Sequence, residues 1–406
     1  MSRSESNWAM VALGNVAESV RSGFASGERS EAGVIQFRMN NVDRVGNISW
    51  SILTRVPCDQ KKVEGYKVKN GDILFNQTNS RELVGKTAYF DGYSENIVFS
   101  NHFLRIRPNS KIASGKYLAR YLQKLYADGF FAAKCNAWVN QATYGKEDLE
   151  ALEIPLPPLD EQRRIAAILD KADAIRRKRQ QALALVDDFL RSTFLEMFGS
   201  PVANPKKWQI APIDSAVLSI DAGWSAKGLD RSAAIDEMGV LKISAVTSGR
   251  YRPDENKAVE IVEAGRVLVI PQKGDLLFSR ANTRELVAAT CIVGKTSENV
   301  FLPDKIWRIR LKKTLATPEY LKFVLSDPTF RSMLCNKATG TSGSMLNISQ
   351  RKLLDTVLPL PPIAQQKAFS VLFWRVEETR SRMTAQCADA DTLFASLSQR
   401  AFRGEL

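Results

Sequence analysis

Short hydrophobic segments bounded by Gly, Asn and Asp recur in two parts of the chain. Residues 33–37 and 239–243 are rich in Val, Ile, Leu and Phe and are too short for stable helices, so they predict β-strands. Apolar residues at helical spacing follow at 116–125 and 318–325. The pattern therefore predicts two compact units in which strands and helices are mixed.

A long helix is predicted after each of two proline clusters, because a proline disfavours the helical conformation in the residue before it. No glycine or proline occurs between Pro158 and Gly199, and Asp160 is the expected N-cap of the first long helix. A helix of about 38 residues rises about 57 Å, which is longer than a small domain is wide. Such a helix cannot bury all of its apolar surface on one domain.

Each predicted long helix carries an imperfect apolar stripe at heptad spacing, interrupted at Arg179 in the first copy. The stripe residues are Ile165, Ile168, Ala172, Ile175, Ala182, Val186 and Phe189 in the first helix and Phe369, Leu372, Val376, Thr379, Met383, Gln386, Ala390 and Leu393 in the second. The two stripes favour burial against each other in an antiparallel coiled coil. Packing of each helix on its own domain is the alternative.

The two parts of the chain are copies of each other. Residues 71–84 return as residues 274–287, 203 positions later, with nine of fourteen residues identical. A period of this length indicates a duplicated domain and not a solenoid repeat. We therefore expect an α+β protein with two pseudo-symmetric mixed α/β domains, residues 1–155 and 201–357. Two long spacer helices, residues 156–200 and 358–406, separate them and pair as an antiparallel coiled coil.

Charge adds a first indication of function. The net charge is +13 at pH 7, and the two repeated domains carry an excess of 4 and 7 positive charges against 1 in each helical segment. A basic balance concentrated on two domains is typical of proteins that bind polyanions. The chain has no apolar run long enough to span a bilayer and no apolar signal-peptide core, so we expect a cytoplasmic protein.

The sequence predicts neither a metal site nor catalysis by this chain alone. Its five cysteines have no C-x-x-C spacing, and its single histidine, His102, corresponds to Lys305 in the second copy. A glycine-rich cofactor loop, the Asn/Asp-Pro-Pro-aromatic motif of amino-methyltransferases and a nuclease motif with workable spacing are all absent from the sequence. We therefore predict no catalytic residue.

Four motifs make the chain resemble the specificity subunits of type I restriction-modification systems, which act in anti-phage defence. The motifs are Gly-Asp-Ile-Leu-Phe at 71–75 with Asn-Ser-Arg-Glu-Leu-Val-Gly at 79–85, Ile-Pro-Leu-Pro-Pro-Leu-Asp-Glu-Gln at 154–162, Phe-Leu-Glu-Met-Phe-Gly at 194–199, and Ala-Phe-Arg-Gly-Glu-Leu at 401–406. The resemblance covers essentially the whole chain. The second copy departs from the pattern where Ala364-Gln365-Gln366 replaces Asp160-Glu161-Gln162.

The resemblance implies a division of labour between several proteins. It implies that each of two target-recognition domains reads one half of a split, asymmetric sequence in double-stranded DNA, while the long helices set the spacing. It further implies that two methyltransferase subunits dock on the helices and supply S-adenosylmethionine, and that restriction motor-nuclease subunits supply ATP- and Mg-dependent cleavage. Under this reading, our chain binds no cofactor itself.

Candidate DNA contacts lie in two polar segments of each domain, because base edges are read by polar side chains and phosphates by Lys and Arg. The first segment contributes Asn76, Gln77, Asn79 and Arg81 in the first copy and Ser279, Arg280, Asn282 and Arg284 in the second. The second segment contributes Lys134, Asn136, Asn140, Gln141 and Tyr144 in the first copy and Lys337, Thr341 and Ser344 in the second. The Asn and Arg residues that are identical in both copies have an alternative role in capping a turn or contacting the scaffold.

Two other functions remain open at this point. A structural adaptor would use the same coiled coil and basic domains to hold proteins, and it would show no salt-sensitive DNA binding. A stand-alone DNA-modifying enzyme is disfavoured by the missing motifs, and it would transfer methyl groups without a partner.

Overall fold

The computed structural model describes residues 8–139, 141–260, 267–339 and 345–406. The chain forms two compact units. Unit 1 comprises Met1–Gln180 and Ala385–Leu406, and unit 2 comprises Gln181–Thr384. Each unit therefore contains one globular domain together with a part of each long helix.

Unit 1 begins with short strands and helices and continues into the first long helix. Its strands are β1 (Ala9–Ala12), β2 (Ala17–Ser22), β3 (Val34–Phe37), β4 (Thr54–Val56), β5 (Ile73–Asn76), β6 (Thr78–Asn79), β7 (Thr87–Tyr89), β8 (Ile97–Phe99), β9 (Phe103–Pro108), β10 (Asn136–Ala137), β11 (Ala142–Thr143) and β12 (Glu153–Leu156). Its helices are α1 (Leu13–Val16), α2 (Gln60–Tyr66), α3 (Gly115–Ala127), α4 (Phe130–Lys134), α5 (Lys146–Glu150) and the first part of α6 (Leu159–Phe198), with a 3-10 turn at Met39–Asn41.

The core of unit 1 is organised around one antiparallel sheet of order β2-β9-β5-β7. Alternate residues of β5 point to opposite faces of this sheet. Ile73 and Phe75 pack with Tyr117 and Leu118 of α3, whereas Leu74 packs with residues of the β4-β3-β8 sheet. The apolar part of the Gly-Asp motif thus forms β5, an inner strand of a layer that is covered on both faces.

Unit 2 repeats this architecture. Its strands are β13 (Gln209–Pro212), β14 (Val217–Ala222), β15 (Gly239–Leu241), β16 (Asn256–Ala258), β17 (Leu276–Ser279), β18 (Ala281–Asn282), β19 (Thr290–Ile292), β20 (Val300–Phe301), β21 (Ile306–Leu311), β22 (Leu346–Asn347) and β23 (Val357–Leu360). Its helices are α7 (Ile213–Ala216), α8 (Ser244–Thr247), α9 (Pro318–Ser326), α10 (Pro328–Lys337), α11 (Gln350–Leu354), the last part of α6 and the first part of α12 (Ile363–Ala401).

The central sheet of unit 2 has the order β14-β21-β17-β19, which matches that of unit 1 element by element. Leu276 and Phe278 again face a helix-lined core, and Leu277 faces the opposite side. The smaller β16-β15-β20 sheet also has its counterpart in unit 1. The predicted duplication of a mixed α/β domain is confirmed.

Within each unit, α6 and α12 pack antiparallel, as predicted. In unit 1, the Arg179 guanidinium donates to the carbonyl of Gln386 at 2.9 Å, and Arg164 near the start of α6 donates to the carbonyl of Leu406 at 3.0 Å. In unit 2, the ring centroids of Phe194 and Phe369 lie 5.6 Å apart. Later residues of α6 therefore contact earlier residues of α12, as in an antiparallel pair.

Two details of the helix prediction are wrong. Five residues of the predicted stripe are exposed, namely Ile175, Phe189, Thr379, Gln386 and Leu393. The buried side of the helices includes the residue after a stripe position instead, as at Leu169, Leu190 and Cys387. The expected N-cap Asp160 lies inside the helix, which begins at Leu159 immediately after the prolines, and its carboxylate pairs with Arg163. The end of α6 is as expected, since Gly199 follows it with a left-handed φ of 79°.

A buried glutamine fixes the start of each long helix. The Gln162 side chain accepts from the Ser114 amide at 2.8 Å and donates to the carbonyls of Ile112 and Pro157 at 3.0 and 2.8 Å. Gln366 makes the same three bonds, to the Thr317 amide and to the carbonyls of Leu315 and Pro361. This glutamine ties the helix start to the turn before α3 or α9, so the domain and the helix are joined at the same point in both copies.

Candidate nucleic-acid interface

The two polar segments predicted separately in the first domain form one surface. Strand β11 pairs with β10 on one side and with β6 on the other, and Ala142 lies opposite Asn79. The hydroxyl oxygens of Thr78 and Thr143 lie 3.3 Å apart across this pairing. The structure thus brings the segment 76–81 next to the segment 134–144, although some 60 residues separate them in the sequence.

The second domain joins the equivalent segments in the same way. Strand β18 pairs with β22, where Ala281 lies opposite Asn347. Thr339 forms an isolated bridge to Asn347 from the other side. Each domain therefore presents one composite polar surface.

A third segment, missed as a candidate from sequence, completes each surface. In the first domain the His102 carbonyl accepts from the Gln77 amide at 2.9 Å, and in the second the Lys305 carbonyl accepts from the Arg280 amide at 3.0 Å. This segment precedes β9 and β21. The change from His102 to Lys305 between otherwise similar copies was the signal that could have identified it.

Three candidate residues are buried, which argues against their contacting DNA. Asn76 and Ser279 are fully buried at the ends of β5 and β17. The Asn76 amide donates inward to the carbonyls of Thr78 and His102. Tyr144 is also buried and donates to the Asp148 carbonyl at 3.3 Å, and burial raises the pKa of its hydroxyl to about 12. These residues support the surface from below.

The residues that are identical in both copies make local contacts. Asn79 and Asn282 each accept a hydrogen bond from the next backbone amide at 2.8 Å. Arg81 donates to the Ala132 carbonyl in α4, and Arg284 donates to the side chain of Asn336 in α10. Their contacts agree with the alternative role of holding the turn against the scaffold.

The remaining candidates are accessible to a ligand. Lys134, Asn136, Gln141 and Lys337 are exposed. The Lys337 ammonium donates to the Thr356 hydroxyl at 2.8 Å, whereas the Lys134 ammonium lies 4.6 Å from the centre of the Phe130 ring. Asn140, Thr341 and Ser344 lie outside the described residues.

Gln77 and Arg280 occupy equivalent positions with different chemistry. The Gln77 amide donates to the Ser22 hydroxyl at 3.0 Å and to the Asn101 carbonyl at 2.6 Å. The Arg280 guanidinium donates to the Asp304 carbonyl at 2.8 Å and pairs with the Asp304 carboxylate at 3.0 Å. Both side chains are partly exposed at the edge of the composite surface.

The described part of the chain offers little material for metal chemistry. Among those residues, no group of His, Cys, Asp and Glu is arranged to hold a metal ion. No helix in the described ranges is both long and apolar enough to cross a bilayer.

Comparisons with known proteins identify what the chain is similar to. Residues 5–185 match a family model described as the type I restriction modification DNA specificity domain. The chain is 28% identical over 394 residues to the type I restriction enzyme EcoKI specificity subunit of Escherichia coli K12, covering 91% of this chain and 82% of that protein.

Two solved structures are similar over nearly the full length of the chain. One belongs to a type I R-M system studied for its complex assembly and conformational transition, with a TM-score of 0.56, 17% identity and full coverage of both chains. The other is the S subunit of a type I restriction-modification system from M. genitalium, with a TM-score of 0.57 and 12% identity, covering 99% of this chain and 97% of that one. At these identities, the likeness establishes the fold.

Proposed function

Because the chain belongs to the family of type I restriction-modification specificity subunits, we propose that it reads a split, asymmetric sequence in double-stranded DNA. Each of its two domains reads one half-site. This specificity subunit carries no catalytic residue of its own, and it works in the cytoplasm as part of a larger complex.

The observation that carries this proposal is the pair of composite surfaces. Both are built on the same three segments, yet they differ where side chains reach the edge, as at Gln77 and Arg280. Side chains of different hydrogen-bonding type select different base edges in the major groove. One frame with two different sets of polar side chains suits a DNA target whose halves differ in sequence.

The long helices supply the surface for partner subunits. Large apolar side chains stay exposed along them, although the helices already pack on each other. These residues are Ile175, Leu185, Phe189, Leu195, Val371 and Leu393. Exposed apolar surface on a helix is typical of protein interfaces. We assign it to two methyltransferase subunits that bind S-adenosylmethionine, with ATP and Mg bound by restriction motor-nuclease subunits that join the same complex.

Methylome sequencing tests the proposal directly. Cells that express this chain together with its methyltransferase subunits should show adenine methylation in one motif made of two short specific parts and a fixed unspecific spacer. Cells that express the methyltransferase subunits alone are the control. A continuous motif, or the absence of a motif specific to this chain, would contradict the split reading.

The isolated chain provides a second test, which asks whether it is an enzyme by itself. Incubated with duplex DNA and labelled S-adenosylmethionine, it should transfer no methyl group until the partner subunits are added. Transfer by the chain alone would make it an enzyme. If the assembled complex bound DNA without salt dependence or sequence preference, the adaptor alternative would replace the proposed function.

A further inference from the structure

Two large apolar side chains lie in water at the edge of the first composite surface. Trp138 is 67% exposed and Val139 is 99% exposed. The indole ring of Trp138 makes no hydrogen bond or ring contact with the other described residues. Tryptophan is usually well buried, because its ring is the largest apolar surface that a side chain offers. An exposed pair of this kind indicates a surface that contacts a partner.

The segment that carries Trp138 is anchored firmly at its base. Strands β10 and β11 flank it, and the Trp138 amide donates to the Gln141 carbonyl at 2.7 Å. Ala142 of β11 is fully buried, and the Tyr144 amide donates to the Gln77 carbonyl at 2.9 Å. The indole is therefore held out from a rigid base, so a ligand that covers it pays little conformational entropy.

Aromatic packing reinforces this base. Phe131 lies at the centre of a cluster in which its ring centroid is 5.0 Å from that of Phe75 and 5.0 Å from that of Tyr144. Phe130 packs edge-on against Phe131 at 5.3 Å. The aromatic residues below the surface are thus packed against one another, whereas Trp138 above them is not.

The charge around Trp138 suits a polyanion. Lys134 is exposed and pairs with no carboxylate of the described residues, whereas Lys146 pairs with Glu150 at 3.6 Å. The exposed neighbours Asn136 and Gln141 add neutral hydrogen-bonding groups. An apolar tip with a polar, cationic rim matches nucleic acid, in which stacked bases lie between phosphates, better than it matches the apolar pocket of a protein.

We propose that Trp138 stacks on a base in the half-site read by the first domain, as an aromatic wedge. This inference rests on the proposed DNA-reading function. Apolar wedges insert between base steps in several DNA-binding proteins, and an aromatic ring gains stacking energy from any base. The equivalent part of the second copy, residues 338–347, contains no aromatic residue. The wedge therefore acts at one half-site only.

The experiment uses the complex of this chain with its methyltransferase subunits and a duplex carrying the motif found by methylome sequencing. Fluorescence anisotropy measures the affinity of the wild type, Trp138→Ala and Trp138→Phe. We expect Trp138→Ala to weaken binding about 5- to 100-fold, and Trp138→Phe to retain most of the affinity because its ring still stacks. The dependence of binding on salt should stay unchanged, since stacking releases no phosphate counterion.

An abasic scan locates the stacked base. Duplexes in which one nucleotide at a time lacks its base are bound by the wild type and by Trp138→Ala. At the stacked position of the first half-site, the two proteins should bind with equal affinity, because the partner of the indole is gone. At positions in the second half-site, the loss caused by Trp138→Ala should persist. Met345→Ala, a change of an exposed apolar residue in the second copy, is the matched control and should leave binding unchanged.

Three results would overturn the inference. Equal binding by Trp138→Ala and wild type on the intact duplex would remove any role in DNA binding. Loss of the methyltransferase subunits from the Trp138→Ala complex, seen by size-exclusion chromatography, would assign the tip to a protein partner. An equal loss at every abasic position would mean that no particular base is stacked. If the wild-type complex itself bound without sequence preference, the proposed function would fail first, which distinguishes the two failures.

Discussion

Gln77 with Asn101 in the first domain and Arg280 with Asp304 in the second form two versions of one contact. Gln77 and Arg280 are equivalent positions of the two copies, 203 residues apart, and so are Asn101 and Asp304. In the first, an amide meets the backbone carbonyl of an asparagine. In the second, a guanidinium meets both the carbonyl and the carboxylate of an aspartate. Both positions therefore differ between the copies, and only in the second copy do the two side chains form an ion pair.

The residues that hold the frame show the opposite behaviour. Gln162 and Gln366 make the same three hydrogen bonds, and the hydroxyls of Tyr117 and Tyr320 donate to the carbonyls of Pro155 and Pro359 at 2.7 and 2.6 Å. All four side chains are fully buried, at 1% exposure or less. Burial without water makes each lost hydrogen bond costly, so these positions tolerate little change, whereas exposed pairs can vary.

The largest expected effect therefore comes from the shared frame. Gln162→Ala and Gln366→Ala should each lower the free energy of unfolding by about 2 to 3 kcal/mol, because each leaves buried backbone groups without a partner. Calorimetry or urea unfolding measures the loss. Gln365→Ala, at the exposed neighbouring position, should stay within about 0.5 kcal/mol. A loss of stability for only one of the two variants would show that the equivalent hydrogen bonds do not stabilise the two copies equally.

A smaller effect is expected from exchanging one pair for the other. Arg280→Gln combined with Asp304→Asn gives the second domain the neutral chemistry of the first. We expect base preference to change by about 1 to 3 kcal/mol in the second half-site, while the first half-site stays as it was. Arg280→Gln alone leaves the Asp304 carboxylate without its cation and should bind DNA worse than the double variant. Competition binding with duplexes altered in each half-site measures both effects. An equal loss of affinity for all DNA sequences would mean that the pair contacts phosphates and not bases.

The smallest expected effect distinguishes two equivalent lysines. Lys134 is exposed without a hydrogen bond to the described residues, whereas Lys337 donates to the Thr356 hydroxyl. Lys134→Ala should lower the slope of log affinity against log salt concentration by about 1, because one phosphate contact is lost. Lys337→Ala should change this slope less. Equal slopes for Lys134→Ala and the wild type would exclude Lys134 from the phosphate contacts.

Much of the fold could be predicted from sequence because its signals are local. The hydrophobic run before Asn76, the proline breaks and the glycine at 199 each define an element within a few residues. Because the domain is duplicated, most of these patterns occur twice in the sequence, and each copy supports the prediction made from the other. Contacts between residues distant in the sequence could not be predicted. No local pattern indicates that the segment at 134–144 pairs with the segment at 76–81.

Burial of polar residues was the main error at the candidate site. Asn76 and Ser279 follow a buried strand and precede polar residues, so in sequence they look like the start of an exposed loop. In the structure, the Asn76 amide donates to the His102 carbonyl in the segment before β9, and Ser279 at the equivalent position is fully buried as well. The sequence indicated correctly that this loop differs between the copies, but not which of its side chains point outward.

The contact-based units also have a consequence for synthesis on the ribosome. Unit 2 is one continuous stretch, Gln181–Thr384, whereas unit 1 needs the segment Ala385–Leu406, which is translated after unit 2. Phe402 in this segment packs against Tyr117 and Tyr121 of α3, with ring centroids 5.3 and 5.1 Å away. Domains usually complete their folding in the order in which they are made. Here the first segment of unit 1 emerges first but must wait for the segment that follows unit 2, so unit 2 can finish folding before unit 1 does.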